Sequence, residues 1–166
     1  MLVVSNTSPL LNLALVDRLS LLHQQFGQIQ IPAAVLAELR VSEALPGSRQ
    51  LQQATSAGWL QVQKVEDRAL VQLLEQDLDR GEAEAIALAL QLRADWTLLD
   101  EREGRRIASR LGLRVTGVLG VLLRAARAGE LSSLPEVINE LREQAGFRIA
   151  PPLLAEILRE NYPLDN

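Results

Sequence analysis

The chain has 166 residues with no cysteine and one histidine, which excludes disulfides, thiolate metal sites and histidine clusters. Its formal net charge of -4 excludes general attraction to a polyanion, so any nucleic-acid affinity must come from local basic surface. The length is that of a single domain with one core, residues 1–166.

Apolar periodicity alternates between strand and helix along the chain, the grammar of an α/β fold. Leu2–Ser5 reads as a strand, Pro9–Gln25 as a helix, Gln28–Ile31 as a strand and Pro32–Val41 as a helix opened by proline. Leu45–Gly58 and Glu66–Gln76 read as helices around an extended piece at Leu60–Val65. A helix beginning at Glu82 and a strand at Trp96–Asp100 follow, then a helix at Glu101–Leu111 and a strand at Leu113–Thr116. Val118–Ala128 is a helix ended by Gly129, and Pro135–Gln144 is another. Phe147–Ile149 and a helix at Pro151–Glu160 close the chain. The opening MLVVSNTSPLL has neither a basic leader nor a long apolar stretch, and no later segment approaches ~18 uncharged apolar residues. A soluble, cytoplasmic protein with no membrane segment is expected.

The run from Glu82 to Asp100 carries the chemistry. A helix from Glu82 to Arg93 climbs ~17 Å and a strand from Trp96 to Asp100 returns ~13 Å, so both carboxylates finish near one edge. In an open parallel sheet, ligands bind outside the carboxyl ends of the strands, and two acids there suit a hard divalent cation. On a helical projection Glu82 falls with Ala85, Ile86, Ala89 and Leu90, whereas Glu84 falls opposite. Glu82 is expected to face inward and Glu84 to face water. The segment DRGE also reads as a capping box, Asp79 with Glu82, which requires no Asp100.

Asn6, Thr7 and Ser8 end the first strand on that same edge, where they are either ligand-site residues or helix caps before Pro9. Glu38 flanks the apolar stripe of Val35, Leu36 and Leu39, so it is a site acid or a solvated helix acid. After Asp100 come Arg102, Arg105, Arg106, Arg110 and Arg114. Arg102, Arg106 and Arg110 share one helix ridge, opposite an expected buried contribution from Ile107 and Leu111. That ridge either grips phosphates or is an ordinary solvated face. Leu153, Leu154, Ile157 and Leu158 form an apolar strip on the last helix, read as intramolecular core or as a partner surface. No GxGxxG or P-loop spacing is present.

In order, spacing and setting, Asn6, Glu38, Glu82 and Asp100 resemble the acidic tetrad of PIN-domain ribonucleases. The blocks VVSNTSPLL, IPAAVLAELR, DRGEAEAIALAL, TLLDEREGRRIASRLGL and VTGVLGVLLRAARAGEL resemble small prokaryotic PIN proteins related to VapC-type toxins, over nearly the whole chain. The resemblance implies a three-layer sandwich with about five mainly parallel strands flanked by helices. It implies Mg²⁺ or Mn²⁺ held by Glu38, Glu82 and Asp100, with Thr7 and Ser8 orienting the ligands, and hydrolysis of RNA phosphodiester bonds. Arg102, Arg106 and Arg110 would then contact RNA, and a small antitoxin and a homodimer are the implied partners. The chain departs from the family pattern at Asn6, where an aspartate is usual. An amide oxygen can still coordinate Mg²⁺, but one negative charge is lost. The alternative reading is therefore a weak or inactive PIN-like module that binds RNA or a partner protein.

Overall fold

The fold is described by a computed structural model covering residues 1–161. Five short strands form one parallel sheet: β1 (Val3–Ser5), β2 (Ile29–Ile31), β3 (Leu60–Val62), β4 (Trp96–Leu98) and β5 (Val115–Thr116). Their order is β3-β2-β1-β4-β5. Helices cover both faces, so the strands alternate between two apolar layers rather than between core and water. Val3 and Leu98 enter the larger core with Ile29 and Ile31; Val4 and Leu99 enter the smaller one, beneath Ile86 and Leu88. This is the three-layer α/β sandwich expected.

Ten helices occur among the described residues: α1 (Thr7–Leu15), α2 (Ser20–Phe26), α3 (Ala33–Leu39), α4 (Ser48–Ser56), α5 (Arg68–Leu74), α6 (Arg80–Leu92), α7 (Arg102–Arg110), α8 (Val118–Arg127), α9 (Leu134–Gln144) and α10 (Pro151–Asn161). The single helix expected over Pro9–Gln25 is two, because Asp17 takes a left-handed φ of 57° and Arg18 N–H bonds back to Leu13 O at 2.8 Å. Apolar spacing runs across the break, so periodicity alone hides it. In α7 the buried residues are Gly104 and Ala108, and Ile107 packs half-buried against the smaller core as expected, whereas Leu111 is 42% exposed, which corrects its place on the expected inner face. The α10 strip mostly packs at home: Ile157 is buried, Leu154 and Leu158 lean on the core, and Leu153 is exposed. No helix among the described residues is long and apolar enough to cross a membrane.

The chain runs outward from β1 to β2 and β3 on one side and to β4 and β5 on the other, so β1 and β4 flank the point where the strand order reverses. Crevices at such a point, beyond the carboxyl ends, are the usual ligand sites of open α/β sheets. Ser5 is in register with Leu98, and Asn6 N–H continues the ladder to Leu98 O at 3.0 Å. Asn6 and Asp100 therefore emerge side by side at the switch.

Helix α6 has no water-facing side over its first nine residues after Arg80: Gly81 through Ala89 are all buried. Glu84 is thus not in water, as helical phase suggested, but 2% exposed. Its Oε2 accepts from Arg80 at 3.1 Å and Arg68 at 3.3 Å, and its Oε1 accepts Ala34 N–H of α3 at 3.2 Å. A buried carboxylate requires such partners, and here they tie α6 to α3 and α5. Glu84→Ala leaves Ala34 N–H unpaired and should cost about 1–3 kcal/mol. Thermal unfolding should register a midpoint several degrees lower, with a smaller loss for Glu84→Gln, which retains an acceptor for Ala34.

Candidate metal and nucleic-acid site

Asn6, Thr7 and Ser8 from the β1–α1 junction, Glu38 from α3, Asp79 and Glu82 from the start of α6, and Glu101 and Arg102 from the start of α7 surround one groove of about 390 Å³. Six carboxylates, Glu38, Asp77, Asp79, Glu82, Glu101 and Glu103, face one guanidinium there, Arg102. A surface of that sign repels RNA until a cation offsets it. Glu101 was missed in the sequence. The signal was the Asp-Glu pair at 100 and 101, whose neighbouring side chains leave an extended segment in opposite directions.

Asn6 sits at the N-cap position of α1 but makes no capping bond. The residue is 3% exposed, and its Oδ1 has no hydrogen-bond partner among the described residues. A buried amide oxygen left unpaired costs free energy, so capping does not account for this residue, whereas a ligand in the groove would. Thr7 hydroxyl donates to Glu38 Oε2. The capping box is present: Asp79 Oδ1 accepts Glu82 N–H at 2.8 Å, and Glu82 Oε2 accepts Asp79 N–H at 3.3 Å. Cap and site are compatible, because that pairing commits one Glu82 oxygen and leaves Oε1, which lies over Gly104.

Burial pushes the Glu82 carboxyl up to about 7, with repulsion from Asp79, Glu101 and Glu38 adding to it and the Asp79 N–H bond opposing it. Among the described residues no ion pair relieves this acid, in contrast to Glu84 two residues on. The donor set of carboxylates and one amide oxygen is hard and suits Mg²⁺ or Mn²⁺. Among the described residues no three acids close on one ion-sized point. Such a site fits a cation held by one or two carboxylates that keeps several waters, the ordinary habit of Mg²⁺.

Asp100 reaches the same edge but not the same groove. Its Oδ1 accepts Val118 N–H at 2.9 Å, capping α8, and it lines a neighbouring cavity of about 460 Å³ with Arg105, Thr116 and Phe147. Burial raises its pKa, while the Val118 bond, Arg105 and Asn12 pull it back. Arg105 turns inward to Leu99 O at 2.7 Å. Of the predicted ridge, Arg102 lines the acidic groove, Arg106 is held by Glu103, and Arg110 is exposed at the end of α7. The two tryptophans are occupied: Arg114 and Arg124 lie over Trp96, and His23 stacks on Trp59.

A family model described as a PIN domain matches residues 2–162. The solved structure of a PilT N-terminus domain protein from the hyperthermophilic archaeon Sulfolobus solfataricus P2 is similar over 80% of this chain and 96% of that one, at 16% identity and a TM-score of 0.50. At that identity the likeness concerns the fold alone. No curated protein matches the chain.

The Glu82 shift fixes a pH dependence. The folded state holds this proton up to about pH 7, whereas the unfolded chain releases it near 4.5, so in that interval the folded state binds more protons. Without divalent cations the Glu82 contribution is fully present below 4.5 and is lost as pH rises through 7. Thermal midpoints of chelator-treated protein should therefore fall across that window, and Glu82→Gln, a mimic of the protonated acid, should flatten the fall.

Proposed function

The chain belongs to the PIN-domain family, and from that premise we propose that it is a divalent-metal-dependent ribonuclease acting at the groove between α3, α6 and α7. The observation that carries this reading is the pairing of an uncompensated buried acid, Glu82, with the unpaired oxygen of Asn6 in one groove. Glu82 and Glu38 would hold Mg²⁺ or Mn²⁺ with the Asn6 amide oxygen, and Asp100 would reach the site from the adjoining cavity. Bound there, the cation supplies charge neutralisation at the scissile phosphate and acidifies a water. The protein groups do the arranging. Thr7 and Ser8 line the groove behind Glu38, and the Asp79 N–H fixes which Glu82 oxygen turns away.

Arg102, Arg106 and Arg110 would contact RNA phosphates along α7, with Arg106 exchanging its Glu103 partner for phosphate. Resemblance to VapC-type toxins supports a toxin–antitoxin role, with a small antitoxin partner and a homodimer. The second reading is a PIN-like module that binds RNA or protein without cutting it. Two observations favour that reading: an amide stands where the family has an acid, and Asp100 Oδ1 already accepts the Val118 N–H, which leaves only its Oδ2 for a ligand.

Cleavage of a mixed RNA pool in Mn²⁺, Mg²⁺ and chelator separates the two. The nuclease reading expects metal-dependent cleavage, lost with chelator and reduced at least about tenfold in Glu82→Ala. The exposed Glu75→Ala serves as the control and should retain the full rate. Retention of the full rate by Glu82→Ala would instead assign the activity to a contaminant or overturn the assignment of the site. A companion prediction concerns the departure at the first strand: Asn6→Asp adds a near-isosteric charged oxygen. It should tighten Mg²⁺ binding about tenfold in calorimetry, the equivalent of ~1.4 kcal/mol. Unchanged affinity would place Asn6 outside the metal site.

A further inference from the structure

Each of the three predicted acids rests against a glycine. A Cβ added to Gly81 would lie 2.6 and 2.7 Å from the two Glu38 carboxylate oxygens, and one on Gly104 would lie 3.1 Å from Glu82 Oε1. The relation recurs outside the groove, where a Cβ on Gly117 would lie 2.5 Å from Asp100 Oδ1. Gly81 is the second residue of α6 and Gly104 the third of α7. Neither has a positive φ, so no backbone conformation demands glycine there. Helix propensity argues for alanine at both positions. The space above the two Cα atoms is what excludes it, and that space is filled by groove carboxylates.

We propose that Gly81 and Gly104 are positioning residues of the metal site, their bare Cα atoms seating the Glu38 and Glu82 carboxylates at the groove. This rests on the metal-site reading above. Helices α3 and α6 pack along each other: Glu84 holds Ala34 N–H, and one turn further along α3 Glu38 settles on Gly81. With α3 packed and hydrogen-bonded against α6, a methyl group at Gly81 displaces the Glu38 side chain rather than the helix. The long Glu38 side chain must swing instead. At Gly104 the crowding is milder, and the Glu82 carboxylate would shift by a few tenths of an ångström.

The test is calorimetric titration of Mn²⁺ into full-length Gly81→Ala and Gly104→Ala, with thermal midpoints of each metal-free protein. The expected result is an affinity about tenfold weaker for Gly81→Ala and a smaller loss for Gly104→Ala. Metal-free midpoints should be unchanged or higher, since alanine suits a helix better. Adding Glu38→Asp to Gly81→Ala withdraws the carboxylate by one methylene and should recover part of the lost affinity. Full affinity in both glycine variants, while Glu82→Gln abolishes binding, would overturn the positioning role and leave the metal site standing. Unaltered Mn²⁺ binding in Glu82→Gln would overturn both. Metal-free midpoints that fall together with affinity, and no recovery with Glu38→Asp, would make these glycines folding residues and contradict the proposal.

Discussion

A helix buried on every side cannot leave a charge to water, and α6 is such a helix from Gly81 to Ala89. It carries two acids, and each must be offset by something other than solvent. Glu84 is offset within the protein by Arg68, Arg80 and a backbone N–H, and with that it becomes a joint between α6, α5 and α3. Among the described residues Glu82 receives only its own capping bond, and the charges that shift it, Asp79, Glu101 and Glu38, are acids. Two carboxylates one half-turn apart thus take opposite roles, one paired and structural, the other holding its proton up to about pH 7.

The rest of the carboxyl edge gathers around that acid. The parallel sheet delivers Asn6 at the end of β1 beside the end of β4, and α3 is held against α6 so that Glu38 arrives next to Glu82. Glu101 adds a further acid from the start of α7. Folding this edge without metal buries Glu82 among other acids, and its raised carboxyl expresses first that burial and then the repulsion from Asp79, Glu101 and Glu38. Active sites are where such unfavourable clustering is ordinarily kept.

Much of this was legible in the sequence because an α/β fold writes its layers plainly. Short apolar strands alternate with helices, and counting the rise of one helix against the return of one strand placed Glu82 and Asp100 at a common edge. Three features were not legible, each for a physical reason. Glu84 was assigned to water because helical phase assumes that one face is wet, although the run AIALAL between Ala85 and Leu90 already signalled burial all round. The break at Asp17 depends on one backbone angle that apolar spacing does not record. The division of labour between Asp100 and Glu101 follows from side-chain direction at a strand end, where a one-residue step exchanges one cavity for the other.

The central claim is that the groove of Asn6, Glu38 and Glu82 is where a divalent ion binds. Anomalous diffraction from crystals grown with Mn²⁺ locates such an ion directly. The account predicts a peak in that groove within coordinating distance of Glu82 Oε1 and the Asn6 amide oxygen, with waters completing the shell. A peak confined to the Asp100 and Arg105 cavity, or none at Mn²⁺ concentrations that support any measured cleavage, would contradict it.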